Sequence, residues 1–494
     1  MTSLLSPTSP LGRLQKTVCL ITILAPAVAA VAADAPTSQS ASSATTAPAQ
    51  SAGLGNDWLR KQSGEWEKWD IGGQFRMRYE IKQNAGYISN NDFVHNRAND
   101  NDYLMERLKY HLGYTPAPWF TAYVEGRSSF EEWDRRAPSP ELDRFNLRQA
   151  FLLFGNPKAL PVTVKVGRQE LLYGEERMVG IGDWSTTGRT FDAAKIRLET
   201  ESCWVDAFAG RVVVPTDGRF NVANDYDWLM GLYGSTTNLI PWQETQLYFL
   251  SHNASSDAPN AIAPGVPGTP TSARDIYTYG TRWASLPGKL GGWDYSLEAA
   301  GQFGSINQAK VRRVQQAYSV FASGGYTWKD AWASPRLGLG YEHGSGDHNP
   351  NDGKNQTFDN LFGTNHRFYG VMDLFSQRNL HIPRLGASLK PLKNLTLSSE
   401  YLLFWMVDTH DSLYPEASSG RSVNGYGKHP DFHTFVGSEL DIVASYAATS
   451  FCDVQLGYGH FFVGDYIRQS VNSVAANGGA VDANWTYFQL RLNF

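Results

Sequence analysis

Short segments in which apolar and polar residues alternate recur from residue 70 to the carboxyl terminus. In the segment 70–81, one set of alternate positions is apolar and the other is mostly charged or amide-bearing. The segments 293–303, 336–342 and 395–401 show the same alternation. Because successive side chains of a strand point to opposite faces, each segment predicts a strand with one apolar and one polar face. The pattern predicts about 18 such strands.

The connections between these strands alternate in length. Short connections rich in Pro, Gly and Lys lie near Pro116 and after Phe154, Ser285 and Lys390. Long polar connections lie between them, at 82–102, 171–190, 252–274, 343–383 and 404–438. This asymmetry is typical of an all-β, antiparallel up-and-down transmembrane barrel with short periplasmic turns and long extracellular loops. A β-sandwich would not explain it, and the chain lacks the regular repeat of a β-helix.

The last strand carries a second signal. Phe488, Leu490, Leu492 and Phe494 share one face, and the chain ends on that aromatic residue. This segment resembles the closing strand of bacterial outer-membrane barrels, which the barrel-insertion machinery binds. An ordinary amphipathic strand is the alternative for this segment taken alone.

The amino terminus predicts export. Arg13 and Lys16 precede an apolar run, and alanines at 30, 32 and 33 follow it, which is the pattern of a secretory signal peptide. We therefore predict a signal peptide at 1–33, an Ala/Ser/Thr/Pro-rich linker and lead-in at 34–68, and a barrel at 69–494. The predicted location is the outer membrane of a Gram-negative bacterium, with the barrel crossing the lipid many times.

Composition agrees with a barrel and excludes other classes. Aromatic residues make up 13% of the chain, there are 46 glycines and the mean hydropathy is −0.37. After the signal peptide no apolar run reaches the ~18 residues of a helical membrane span. The net charge of −5 gives no signature for nucleic acid. Cys203 and Cys452 alone form neither a disulfide framework nor a metal cluster.

Arginines occupy the polar faces of several predicted strands. They are Arg76, Arg78, Arg107, Arg127 and Arg197. A guanidinium stays charged and pairs with carboxylates through two hydrogen bonds, so these residues are candidates for binding anionic solutes in the lumen. Acidic residues share the same faces, and a lumen of balanced salt bridges is the alternative.

Residues 164–199 resemble the signature of the alginate-export porin family, with Gly167-Arg168-Gln169 and Gly188-Arg189 around Asp183-Trp184. Residues 340–375 and 457–467 are similar to other segments of that family. The resemblance implies an 18-stranded barrel whose narrow, positively charged pore passes a polyuronate, although the family includes members with other cargo. It also implies that Arg168, Asp183 and Arg189 form the constriction. The alternation of side chains along this strand directs Arg168 toward lipid, unless a bulge near Gly167 turns it inward. The alternative role for Arg168 and Arg189 is to brace the long loop against the wall.

No motif predicts an enzyme or a cofactor. The chain lacks G-x-S-x-G, and five of its histidines, at 111, 252, 343, 366 and 460, show no metal spacing. We predict a monomeric channel in outer-membrane lipid that passes an anionic polysaccharide or similar anionic solute, with periplasmic export partners compatible with this function. A less selective diffusion porin for small organic solutes is one alternative. A plugged barrel that serves in surface binding or adhesion is the other. Transport in either direction agrees with the sequence.

Overall fold

The computed structural model describes residues 53–136, 141–255, 273–308, 311–416 and 420–494. The predicted signal peptide and most of the predicted linker lie outside these residues. The chain from residue 69 onward forms one sheet of antiparallel strands that closes on itself.

Eighteen strands form the wall, as the alternation predicted. Each wall strand pairs with its two neighbours in the chain, and the first pairs with the last. The strands are β1 Trp69–Gln83, β2 Asn101–Ala117, β3 Phe120–Glu132, β4 Asp143–Phe154, β5 Val162–Gln169, β6 Phe191–Glu199, β7 Cys203–Val214, β8 Asp227–Ile240, β9 Gln243–Ala254, β10 Arg274–Ser285, β11 Trp293–Gln308, β12 Val311–Thr327, β13 Arg336–Gly344, β14 Leu380–Leu392, β15 Leu395–Met406, β16 Phe435–Ala447, β17 Cys452–Val463 and β18 Ala483–Asn493. Two further strands, Val222–Ala223 and Lys354–Asn355, lie in loops.

The closing contact joins β18 to β1. The backbone N–H of Gly73 donates to the carbonyl oxygen of Phe494 at 2.8 Å, and the N–H of Phe494 donates to Gly73 at 3.0 Å. A Cβ atom at Gly73 would clash with the backbone carbonyl oxygen of Lys109 and would lie 2.6 Å from the Phe494 ring, so only glycine fits there. Trp485 and Tyr487 of β18 are buried inside, whereas Phe488 is exposed on the outer face. The aromatic carboxyl terminus is therefore part of barrel closure.

Short turns lie at one end of the wall and long loops at the other. The chain turns from β2 to β3 between Ala117 and Phe120, but the loop from β13 to β14 covers 345–379. One connection at the long end departs from the predicted alternation, because β11 ends at Gln308 and β12 begins at Val311. These two strands are among the longest in the wall and meet in a hairpin.

In the part of the chain that the structure describes, helices are few and short. Helix α1, Leu54–Gln62, precedes the barrel, and α2, Asp465–Asn472, lies in the last long loop. The 3-10 helices are Gly64–Lys68, Ser89–Asn91 and Ala475–Asn477. The Asn56 side chain fixes α1 to β1, because its Oδ1 accepts from the N–H of Ile71 at 2.7 Å. None of the helices in the described part of the chain has the length and apolar character needed to cross a membrane.

The main apolar core lies inside the wall and is built from inward-facing residues of the strands together with residues of the long loops. Residues from the loops at 84–100, 170–190, 345–379 and 407–434 pack together there. Buried members include Phe93, Val179, Phe362, Phe375 and Leu413. The loops at the long end therefore fold inward against the lumen-facing side chains of the strands.

Candidate pore constriction

The tip of the 170–190 loop rests on cations of β1 and β2. Lys109 Nζ lies 2.9 Å from Asp183 Oδ1, and Arg107 Nη1 lies 2.8 Å from the same oxygen. Arg76 Nη1 lies 3.9 Å from Asp183 Oδ2. Three positive charges and one negative charge therefore meet in this group, which has a net charge of +2.

The same strands also hold the backbone of the loop tip. Arg76 Nη1 donates to the carbonyl oxygen of Asp183 at 2.5 Å, and its Nη2 donates to that of Trp184 at 2.9 Å. Arg78 Nη1 donates to the Trp184 carbonyl at 2.8 Å. Because carbonyl oxygens accept these bonds, the loop tip stays attached without using the charge of Asp183.

Electrostatics keep Asp183 ionised. Desolvation inside the barrel raises the pKa of its carboxyl, but Lys109, Arg107 and Arg76 outweigh that effect and hold the pKa well below its usual value. The Asp183 side chain is 39% exposed. It is thus a charged group that both the wall and the lumen solvent contact.

An aromatic stack stands beside this group. The Arg78 guanidinium lies 3.6 Å from the centre of the Trp184 ring. The His366 imidazole, from the 345–379 loop, stacks on the same indole at 3.7 Å with an interplanar angle of 7°. Tyr487 of β18 meets Trp184 edge-on at 5.2 Å. The stack joins the two inward loops to the wall.

The other predicted wall arginines lie in the lumen, each paired with a carboxylate. Arg78 Nε donates to Glu80 at 2.8 Å. Arg127 pairs with Asp143 of β4, and Arg197 Nε lies 2.5 Å from Asp206 of β7. All three arginines are buried. For these three, the contacts agree with the balanced salt bridges considered as the alternative from sequence.

Arg189 joins two loops rather than pairing with an acid. Its Nη1 donates to the carbonyl oxygen of Gly180 at 3.0 Å and to that of Phe362 in the 345–379 loop. Val179 and Phe362 form a β-bridge beside it. Burial lowers the pKa of the guanidinium to about 10, so it remains positively charged at neutral pH.

Arg168 lies outside the lumen, which departs from its predicted place in the constriction. Its Nε donates to Asp192 at 2.7 Å, and Asp192 alternates with the inward-facing Phe191 and Ala193. Gly167 adopts a φ of +121°, but this irregularity does not turn Arg168 inward. Arg168 also donates to the carbonyl oxygen of Asn221 at 2.9 Å. These contacts fit the bracing role.

Five further buried arginines in the described part of the chain were not predicted as site residues: Arg148, Arg177, Arg274, Arg282 and Arg421. Arg148 donates to Glu170 at 2.6 Å and to the carbonyl oxygen of Thr187 at 2.8 Å. Arg148 lies where the pairing of β3 and β4 shifts register. The alternation of side chains along the strand therefore does not predict its inward direction. Arg421, in the 407–434 loop, pairs with Asp92 at 2.6 Å. No pattern in the sequence connects Arg421 with Asp92.

A closed wall with inward loops and lumen arginines defines an outer-membrane β-barrel channel. The sequence model of the alginate export family matches residues 67–481, and the chain belongs to this family. The family and its structural neighbours are non-enzymatic channels of the Gram-negative outer membrane, as predicted. A comparison with curated proteins finds no match.

Solved structures confirm the fold. The chain is similar to Pseudomonas aeruginosa OccD3 (OpdP), with 13% identity, a TM-score of 0.54, and coverage of 87% of this chain and 91% of that one. It is similar to P. aeruginosa OccK3 (OpdO), with 12% identity, a TM-score of 0.52, and coverage of 86% and 96%. P. aeruginosa OpdK, determined with vanillate, gives 11% identity, a TM-score of 0.52, and coverage of 86% and 98%.

Proposed function

We propose that this channel passes an anionic polysaccharide or oligosaccharide of the polyuronate class. The observation that supports the proposal is the group of Arg76, Arg107 and Lys109, which share the single carboxylate of Asp183. Most other lumen cations described above have a carboxylate of their own. These ion pairs thus leave an excess of positive charge where the 170–190 loop meets the wall, and Glu141, whose carboxylate accepts from the N–H of Thr186 at 2.6 Å, offsets part of it.

The chemistry of a polyuronate suits this arrangement. Each sugar carries a carboxylate, so fixed cations on the wall can replace part of its hydration and counterions. The carboxylate of Asp183 already engages these cations, and it competes with the cargo for them. Competition of this kind weakens each contact, which allows a polymer to move on rather than stall.

The remaining predicted residues take supporting roles in this proposal. Arg189 sets the spacing between the two inward loops and adds a positive charge beside them. Arg78 orients Trp184, and Arg127 and Arg197 neutralise wall carboxylates. We propose that the protein acts as a monomer, because one chain closes the barrel by itself. A periplasmic partner that delivers an exported polymer is compatible with this proposal.

A small organic anion is the second candidate cargo. OpdK, which has a similar fold, was determined with vanillate, a carboxylate much smaller than a polymer. A channel for such solutes would use the same cation group. The two candidates differ in what blocks ion flow, since a polymer occupies the constriction for longer than a single small anion.

Reversal potentials in planar bilayers test the proposal. The purified protein under a KCl gradient should prefer chloride, and polyuronate should block the current more strongly than an equal concentration of monomeric uronate. Lys109→Gln should lower the chloride preference. Lys329→Gln, the same change at an exposed lysine in a short turn, is the matched control and should leave it unchanged.

Three outcomes would contradict the polyuronate channel. Equal permeability to both ions would indicate a general diffusion porin. Block by the monomer as strong as by the polymer would favour the small-anion candidate. Absence of any current from correctly folded protein would favour a plugged barrel with a binding or adhesion role.

A further inference from the structure

Two loops at the long-loop end bring two imidazoles and one carboxylate together. His348, from the 345–379 loop, has its Nδ1 atom 2.6 Å from Asp408 Oδ2. His410 has its Nδ1 atom 2.8 Å from Asp408 Oδ1. Asp408 and His410 belong to the 407–434 loop. One ligand atom from each of the three side chains lies within 4.8 Å of the other two.

The backbone of Asp408, the residue at the centre of this cluster, is held in place by a buried side chain. Asn379, which is fully buried, donates through Nδ2 to the Asp408 carbonyl oxygen at 2.8 Å. Its Oδ1 accepts from the Asp408 N–H at 2.9 Å. Asn379 directly precedes β14. The cluster is therefore fixed to the wall by the residue at the start of a strand.

We propose that His348, Asp408 and His410 form a binding site for a divalent transition metal of the zinc type. Imidazole nitrogen and carboxylate oxygen are ligands that Zn²⁺ favours. A tetrahedral ion with bonds of about 2.1 Å separates its ligands by about 3.4 Å. The three donor atoms already lie within 4.8 Å of one another, so small rotations of the two imidazoles would bring them to that spacing.

Access and ligand number agree with a site that solvent metal can reach. The His348 side chain is 76% exposed and that of His410 is 43% exposed, whereas Asp408 is 16% exposed. Three protein ligands leave one tetrahedral position for water or for an outside ligand. The cluster can therefore exchange metal with the medium and offers no closed structural cage.

The metal would tie the two loops together at a point that bears on the constriction. The loops already meet through Asp411, whose Oδ2 accepts from the N–H of Asp347 at 3.0 Å. The 345–379 loop also supplies His366 to the Trp184 stack. A bound ion would add coordinate bonds to the hydrogen bonds that already join the loops, and we expect it to restrict movement of the loop that carries His366. The proposal does not depend on the identity of the cargo.

Titration of the full-length protein in detergent with ZnCl₂, followed by calorimetry, tests the site. Wild-type protein should bind one Zn²⁺, and this binding should require all three residues. His348→Ala or His410→Ala should weaken it at least about tenfold. His433→Ala, at an exposed histidine of the same 407–434 loop, is the matched control and should bind as wild type. CaCl₂ should give no comparable binding, since Ca²⁺ prefers oxygen ligands.

Limited trypsin digestion is a second measurement. If the three residues only formed hydrogen bonds with one another, Zn²⁺ would not change the rate of cleavage. Zn²⁺ should slow cleavage after the exposed Lys428 in wild type, and it should not do so in His348→Ala. Heat-modifiable migration on gels verifies that each variant is folded. Wild-type protein that binds no Zn²⁺ stoichiometrically, or variants that bind as tightly as wild type, would overturn the proposal.

Discussion

Asp183→Asn is the sharpest test of the charge arrangement in the lumen. The change removes one negative charge and keeps the shape of the side chain. The group formed by Arg76, Arg107, Lys109 and Asp183 then changes from a net charge of +2 to +3. The loop tip should stay in place, because Arg76, Arg78 and Arg107 also hold its backbone carbonyl oxygens.

The expected change in selectivity follows from Coulomb's law. One unit charge about 10 Å from a passing ion in water changes its energy by ~0.4 kcal/mol. The change is favourable for an anion and unfavourable for a cation, so their difference is ~0.8 kcal/mol before screening. At about 0.01 M salt the Debye length is ~30 Å, and the ratio of anion to cation permeability should rise about threefold. At about 0.1 M salt the rise should fall below about twofold.

The assay is the reversal potential of single channels in a planar bilayer, measured at both salt concentrations. Asp217→Asn is the matched control, because Asp217 pairs with the exposed Arg144 and takes no part in the group around Asp183. It should leave the permeability ratio unchanged. Anion preference that does not rise in folded Asp183→Asn channels, or that rises equally in the control, would refute the assignment of this group to the conducting path.

Four further predictions follow from contacts described above. Deletion of Phe494 removes its two backbone hydrogen bonds to β1, so the chain should accumulate in the periplasm and lose heat-modifiable migration; normal assembly would contradict the closing role. Arg421→Met leaves a buried carboxylate unpaired, which costs about 3–5 kcal/mol locally, and proteolysis of the 407–434 loop should become faster. Burial and a neighbouring carboxylate raise the pKa of Glu416 to about 8, so the folded protein retains a proton that the unfolded chain has lost; the free energy of unfolding should fall as pH rises from about 4.5 to about 8, and Glu416→Gln should flatten this trend in melting temperature. Arg168→Glu should leave ion selectivity unchanged, whereas Arg189→Glu should lower anion preference; equal effects in reversal potential would count against the outer position of Arg168.

The alternation of apolar and polar residues was sufficient to predict the wall and the inward direction of several arginines. Arg76, Arg107 and Arg127 lie on polar faces because alternation within a strand is a local property of the backbone. The same rule assigned Arg168 outward, and the family resemblance alone suggested a place in the constriction. At this residue the local pattern was a better guide than the motif.

The interior could not be predicted from the same patterns. The long loops read as polar connections, yet Phe362 and Phe375 within them are buried in the lumen. Their partners come from distant parts of the chain, and loop packing has no sequence period. Arg148 was missed for a different reason, since a register shift between β3 and β4 breaks the alternation on which the prediction depends.

The inward-folded loops separate two properties of the protein, the architecture of the wall and the chemistry of the interior. Backbone hydrogen bonds between neighbouring strands hold the wall, and they accept almost any sequence that keeps the alternation. Side chains of the loops set the chemistry of the interior. Substitutions in a few loops can therefore change the chemistry of the interior while the membrane-facing shell stays intact. Chains that share only 11–13% identity with this one can therefore keep the same wall.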